Sequence, residues 1–213
     1  MSLLFGIDML FPRPRLRAAV EALARLADRD DCTGCIVVLP GEQPIPVPFD
    51  AYAEDEDGPL ASFDCSRADR FQCLDGSLWL PIDDDVRAYL KYDRRAGHAP
   101  ALRTTRGGEE ASIGRVSIHI YCGARHSVVH VGAATSSMSY LFESSGAIRR
   151  TFLELVRETG GFTALLNREA GAPDELLGAP GQYVKLPRYD WEDPIGTVDR
   201  FVDTALAAEA SRA

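Results

Sequence analysis

The chain has 213 residues, 46% hydrophobic and 26% charged, with a formal net charge of −9. That balance suits a soluble globular protein with enough length to bury a core without disulfides or metal. The acid excess argues against a nucleic-acid binder, which shows a basic face, and no apolar run approaches the roughly 18 residues of a membrane span.

The opening MSLLFGIDMLFPRPRLR places its basic residues after the apolar stretch. A secretory signal has the reverse order, so this segment is expected to be mature structure. With five cysteines, an odd number, the expected setting is the cytoplasm with reduced thiols. Residues 3–11, LLFGIDMLF, predict a strand or extended segment, and Pro14 suits the first turn of a helix that stops by about Asp30. Leu16, Val20, Leu23 and Ala27 give that helix its apolar face.

CIVVLP, residues 35–40, predicts a buried strand. In PIPVPF, residues 44–49, prolines alternate with Ile45, Val47 and Phe49, which restricts the segment to an edge strand or polyproline II. Residues 51–58 predict an acidic loop, and Asp75-Gly76 predicts a hairpin turn within residues 70–82. VRAYLKY follows Asp83, Asp84 and Asp85 as a short helix whose N-terminus the acids favour. Residues 93–114 carry glycines, mixed charge and little periodicity, so they predict a loop.

RVSIHIYC (115–122) and HSVVHVGA (126–133) predict a hairpin with its turn at Gly123, and MSYLF (138–142) a third strand. A helix over about 146–158 is expected to be capped by Ser144 or Ser145 and ended by Gly160-Gly161. GFTALLN and GQYVKLP are further candidate strands, and a last helix opens at Asp193-Pro194 with Ile195, Val198, Val202, Ala205 and Leu206 lining one face.

Hairpins mixed with helices, without a βαβ rhythm, predict an α+β fold. Its sheet is expected to be mostly antiparallel and packed by three main helices at about 14–29, 146–158 and 194–208. One domain over 1–213 is expected, with a two-lobe arrangement open, 1–92 and 113–213 joined by a mobile loop at 93–112.

Cys32 and Cys35 form a C-x-x-C pair. A redox pair of this spacing follows a strand and starts a helix, where the dipole favours the thiolate. Here a helix precedes the pair and a strand follows, so a structural role is expected, with Cys35 pointing into the core. Zinc would need two further ligands, and neither Cys65 with Cys73 nor Cys122 with His126 has a matching spacing.

If the hairpin loop has an even number of residues, as with a four-residue turn centred between Ala124 and Arg125, His119 sits directly opposite His130, within about 5.5 Å at Cβ, whereas an odd loop separates the two onto opposite faces. Ser117 and Tyr121 share that face, giving a polar row that is the favoured binding candidate. Against it stands the plain reading of a solvated sheet face. His119 and His130 are also the alternative metal or acid–base pair.

The acids at 54–57 and 83–85 fit solvated loops and helix starts. Strings for a serine-hydrolase elbow, dinucleotide binding, a P-loop or a zincin do not occur. The expectation is a non-enzymatic macromolecule-binding protein of the immunity or accessory type, without a cofactor, whose partner is a protein with a basic surface. The alternative is a metal-binding domain or metal-dependent enzyme using His119 and His130.

Overall fold

In the computed structural model the described residues are 5–53, 56–65, 72–95, 101–168, 174–186 and 194–211. The chain opens with β1 (Phe5–Pro12), a 3₁₀ turn (Arg13–Arg15) and α1 (Leu16–Leu26). Four short strands follow, β2 (Cys35–Val38), β3 (Ile45–Val47), β4 (Asp50–Ala53) and β5 (Ser62–Asp64), and then the long β6 (Gln72–Pro81). After α2 (Asp84–Arg95) come β7 (Leu102–Thr105), β8 (Gly108–Cys122) and β9 (His126–Ala133). The remainder is α3 (Ser136–Ser144), α4 (Gly146–Thr159), β10 (Thr163–Arg168), β11 (Asp174–Leu176), β12 (Tyr183–Val184) and α5 (Pro194–Ala210).

The fold is α+β, as the mixed hairpin and helix pattern predicts. Among the described residues a nine-stranded antiparallel sheet runs in the order β12-β11-β10-β1-β9-β8-β6-β4, with β7 added beside β8. A second sheet, β3-β2-β5, has the proline-bearing β3 at its edge. That is where a strand lacking a ladder donor at Pro46 belongs.

Alternation along β1 sends Ile7, Met9 and Phe11 to one face and Leu10 to the other. The first face forms the main core with α1, α3, α4 and the small sheet. On the second face, Val198, Val202 and Ala205 of α5 pack on Leu10, Val128, Leu165, Leu176 and Val184. None of the helices is long and apolar enough to cross a membrane, among the described residues.

Several expectations are corrected. β6 runs straight through Asp75-Gly76, with a register shift between Gly76 and Leu78 in place of a hairpin turn. Glycine is needed there for close packing, since a Cβ at position 76 would lie 2.8 Å from Phe49 Cδ1 and 3.0 Å from Cys32 Sγ. Within 93–112, expected as a mobile loop, α2 continues to Arg95, and β7 and the start of β8 form a hairpin; residues 96–100 lie outside the described set.

MSYLF is helical. Thr135 caps α3 by accepting from Met138 N at 3.2 Å, and Met138, Leu141 and Phe142 are buried at helical spacing. Helices therefore number five among the described residues, the three main ones and the short one expected at VRAYLKY, now α2, being joined by α3. The predicted acidic loop begins inside β4, and residues 54 and 55 lie outside the described set, as do Leu3, Leu4 and Asp193.

Ser145, one of the two predicted caps, accepts from Ile148 N at 3.1 Å, and Gly160 ends α4 in the left-handed region at φ 77°. Ser145 also donates to Asp83 Oδ2 at 2.8 Å. Ser145→Ala removes both bonds from a fully buried position and is expected to cost about 1–2 kcal/mol. Urea denaturation of the variant beside the parent measures this directly.

Candidate functional site

The β8–β9 register pairs Cys122 with Ser127 and His119 with His130, so the turn is the four-residue one that the sequence allows. The imidazoles share a face with ring centroids 5.7 Å apart, and His119 stacks on Tyr121 at 6.1 Å. Ser117 stands opposite Gly132 on the same face. The predicted row is therefore brought together.

Pairing with β1 extends the row to a residue that the sequence reading missed. Asp8 lies opposite His130, only 3% exposed, and accepts from His130 Nδ1 at 2.7 Å and from Asn167 Nδ2 at 2.8 Å. Gly6 and Gly132 make room for the imidazole. A Cβ on Gly6 would fall on His130 Cε1, and one on Gly132 would lie 3.0 Å from His130 Nε2. Asp8 is the one charged residue in an otherwise apolar run, LLFGIDMLF, and that is the signal that could have found it.

Burial sets the electrostatics. His119 is driven down to about 4 by burial and by the neighbouring His130. Asp174, at the start of β11, is pushed up to about 7 by burial and then by the Asp8 carboxylate. A carboxyl and an imidazole are thus both held toward their neutral forms, on the face that α5 shares. Chemically, the arrangement holds a positioned imidazole. Among the described residues no group of three or more His, Cys, Asp or Glu side chains converges to hold a metal ion.

Cys32 and Cys35 follow α1 and precede or open β2, in the order that disfavours thiolate chemistry. Cys35 is 7% exposed, and burial followed by the nearby Asp50 raises its thiol to about 12. Cys32 is also raised, by burial and then Asp50, and its thiol points at the Asp75 carbonyl at 3.5 Å. Burial pushes the Asp50 carboxyl up, but Thr33 and the Arg115 guanidinium outweigh it, and the group lies below its ordinary value. Thr33 donates to Asp50 from both its amide and its hydroxyl.

The acids divide between solvent and helix starts. Asp83 Oδ1 accepts from Val86 N at 3.0 Å at the start of α2, and Asp84 and Asp85 stand in its first turn. Beside them, α2 and α3 border a cleft of about 270 Å³ lined by Asp85, Ala88, Tyr89, Tyr92, Tyr140 and Leu141, among others. Tyr92 is 62% and Tyr140 56% exposed. An edge contact with Phe5, ring centroids 6.5 Å apart, backs Tyr140. The sequence reading missed this cleft because it took half of it for a strand.

Comparisons with protein-family models, with curated proteins and with solved structures find no match.

Two outcomes test the polar row. The folded His119 takes its proton near pH 4 against about 6.5 when unfolded, so its contribution is full above pH 6.5 and is lost as pH falls toward 4. Asp174 has the opposite sign: its contribution is full below pH 3.8 and is lost as pH rises through about 7. The two slopes oppose each other between pH 4 and 6.5. His119→Gln is expected to become less stable with rising pH across that window, and Asp174→Asn more stable, as denaturant midpoints will show. Gly6→Ala is expected to expel the His130 ring and cost about 1–3 kcal/mol, with loss of the slowed exchange of its ring proton by NMR.

Proposed function

We propose that the protein is a non-enzymatic macromolecule-binding protein of the immunity or accessory type, and that it docks a basic protein surface at the α2–α3 cleft. The observation that carries this reading is the pair of large, exposed tyrosines facing one cleft. Tyr92 and Tyr140 offer broad amphipathic area at small entropic cost, the property that enriches tyrosine at interfaces. Among the described lining residues Asp85 alone carries a charge, and Asp84 stands exposed beside it. A guanidinium or ammonium group meets both a carboxylate and ring faces there. The net charge of −9 adds long-range attraction for such a partner.

The test compares the parent chain with Tyr92→Ala/Tyr140→Ala as bait in native lysate at low and moderate salt, followed by titration of the recovered partner. A partner with a basic surface is expected, bound at least tenfold more weakly by the double variant and more weakly at the higher salt. Equal binding by the two baits rejects the cleft. No partner under either condition rejects the reading itself.

A further inference from the structure

We infer that a second cleft, between α2 and the β7–β8 hairpin, binds a small amphipathic monocarboxylate. The cleft holds about 290 Å³, near the lower bound of small-molecule pockets. Its apolar lining is Ile82, Leu90 and Leu102, and its cations are Arg87, Lys91 and Arg103. Helix α2 thus serves two clefts. Asp85, Ala88, Tyr89 and Tyr92 line the tyrosine cleft, while Arg87, Leu90 and Lys91, neighbours at helical spacing, line this one. The clefts lie on different flanks of the helix, so failure of one leaves the other standing.

The apolar part is graded in depth. Leu90 is buried, Ile82 is half-buried, and Leu102 is 52% exposed. A hydrocarbon tail laid along these three removes the open face of Leu102 from water.

The charged part is held in place before any ligand arrives. Arg87 Nη2 donates to Glu109 Oε2 at 3.0 Å, and Arg103 Nε donates to Glu110 Oε2 at 2.6 Å. Arg103 also stacks on Trp79, its Cζ 4.4 Å from the ring centre. A guanidinium has five N–H donors, and each of these pairs uses one, so donors remain for a second carboxylate. Lys91 is exposed and pairs with no carboxylate among the described residues.

Three cations therefore meet two carboxylates, and one positive charge is left over. That count selects the charge of the ligand. A carboxylate completes the balance, whereas a phosphate dianion or an acidic peptide adds negative charge to a chain already at −9. The flexible Lys91 ammonium takes the carboxylate, and the tail covers Leu102.

The test titrates the nitrogen-labelled full chain with sodium octanoate and follows backbone amides by NMR. Saturable shifts are expected at residues 87–91 and 102–104, with 1-octanol, which lacks the charge, and acetate, which lacks the tail, each bound about tenfold more weakly. Lys91→Gln is expected to weaken octanoate about tenfold, and Lys185→Gln, a charge change just after β12, to leave it unchanged. Both lysines are exposed, so the variants keep the fold. No saturable shift with octanoate overturns the site, as do shifts confined to the tyrosine cleft. Equal binding of 1-octanol, or unchanged affinity in Lys91→Gln, overturns the role of charge. Octyl phosphate bound more tightly than octanoate overturns the choice of a monoanion.

Discussion

Pairing of β1, β9 and β8 without slippage is the constraint on which both chemical faces of this molecule depend. The register sets Asp8, His130 and His119 in one line across three strands, and Phe11, Ser127 and Cys122 in another on the opposite face. Because side chains alternate with period 2, a slip of one residue would exchange the two faces. The imidazoles would enter the main core, and Cys122 would leave it. The register is itself held from outside the sheet. Asp199 of α5 accepts from the amides of Arg125 and His126 at 3.1 and 2.9 Å, pinning the hairpin turn to the helix. A Cβ on Gly123 would lie 2.5 Å from Asp199 Oδ1, so glycine at that turn is what lets the carboxylate reach the amides.

A second economy lies at Asp83, whose two oxygens serve two helices. Oδ1 satisfies Val86 N in α2, and Oδ2 satisfies Ala147 N and the Ser145 hydroxyl at the start of α4. Free amides at a helix N-terminus need acceptors, and a carboxylate there also suits the helix dipole. Burial opposes ionisation of Asp83, but the amide and hydroxyl donors outweigh it and hold the carboxyl below its ordinary value. One side chain thus fixes α2 relative to α4. Since Ser145 ends α3 as well as starting α4, it also fixes the angle at which α2 and α3 enclose the tyrosine cleft.

The elements legible from the chain were those whose local signals and tertiary setting agree. α4 has its cap, its period and its closing glycine, and the β8–β9 hairpin has clean alternation, so the His119–His130 pairing followed from counting the turn. Gly76 misled because Asp-Gly is a turn signal only when the backbone reverses. Here the missing side chain serves close packing against Phe49, which no local pattern records. MSYLF was misread because five residues are too short a run for the helical spacing of Met138, Leu141 and Phe142 to stand out, and the hydroxyl at Thr135 decided for the helix. Asp8 and Asp174 join the polar row only through strand pairing, and Arg13 meets Cys122 only through the end of β1. Such contacts between distant residues leave no spacing to read.

The thiols illustrate why spacing and chemistry part company. Cys32 and Cys35 have the motif, but burial and Asp50 press both toward the neutral thiol, and no cation approaches closely enough to reverse this. Arg115 lowers Cys32 only as the weakest of its influences, because its guanidinium is engaged by Asp75 at 3.1 Å and Asp50 at 3.7 Å. The same commitment runs through the chain. Arg149 and Arg168 are tied to Glu175, Arg103 to Glu110 and Arg125 to Asp203, so these guanidiniums balance named carboxylates.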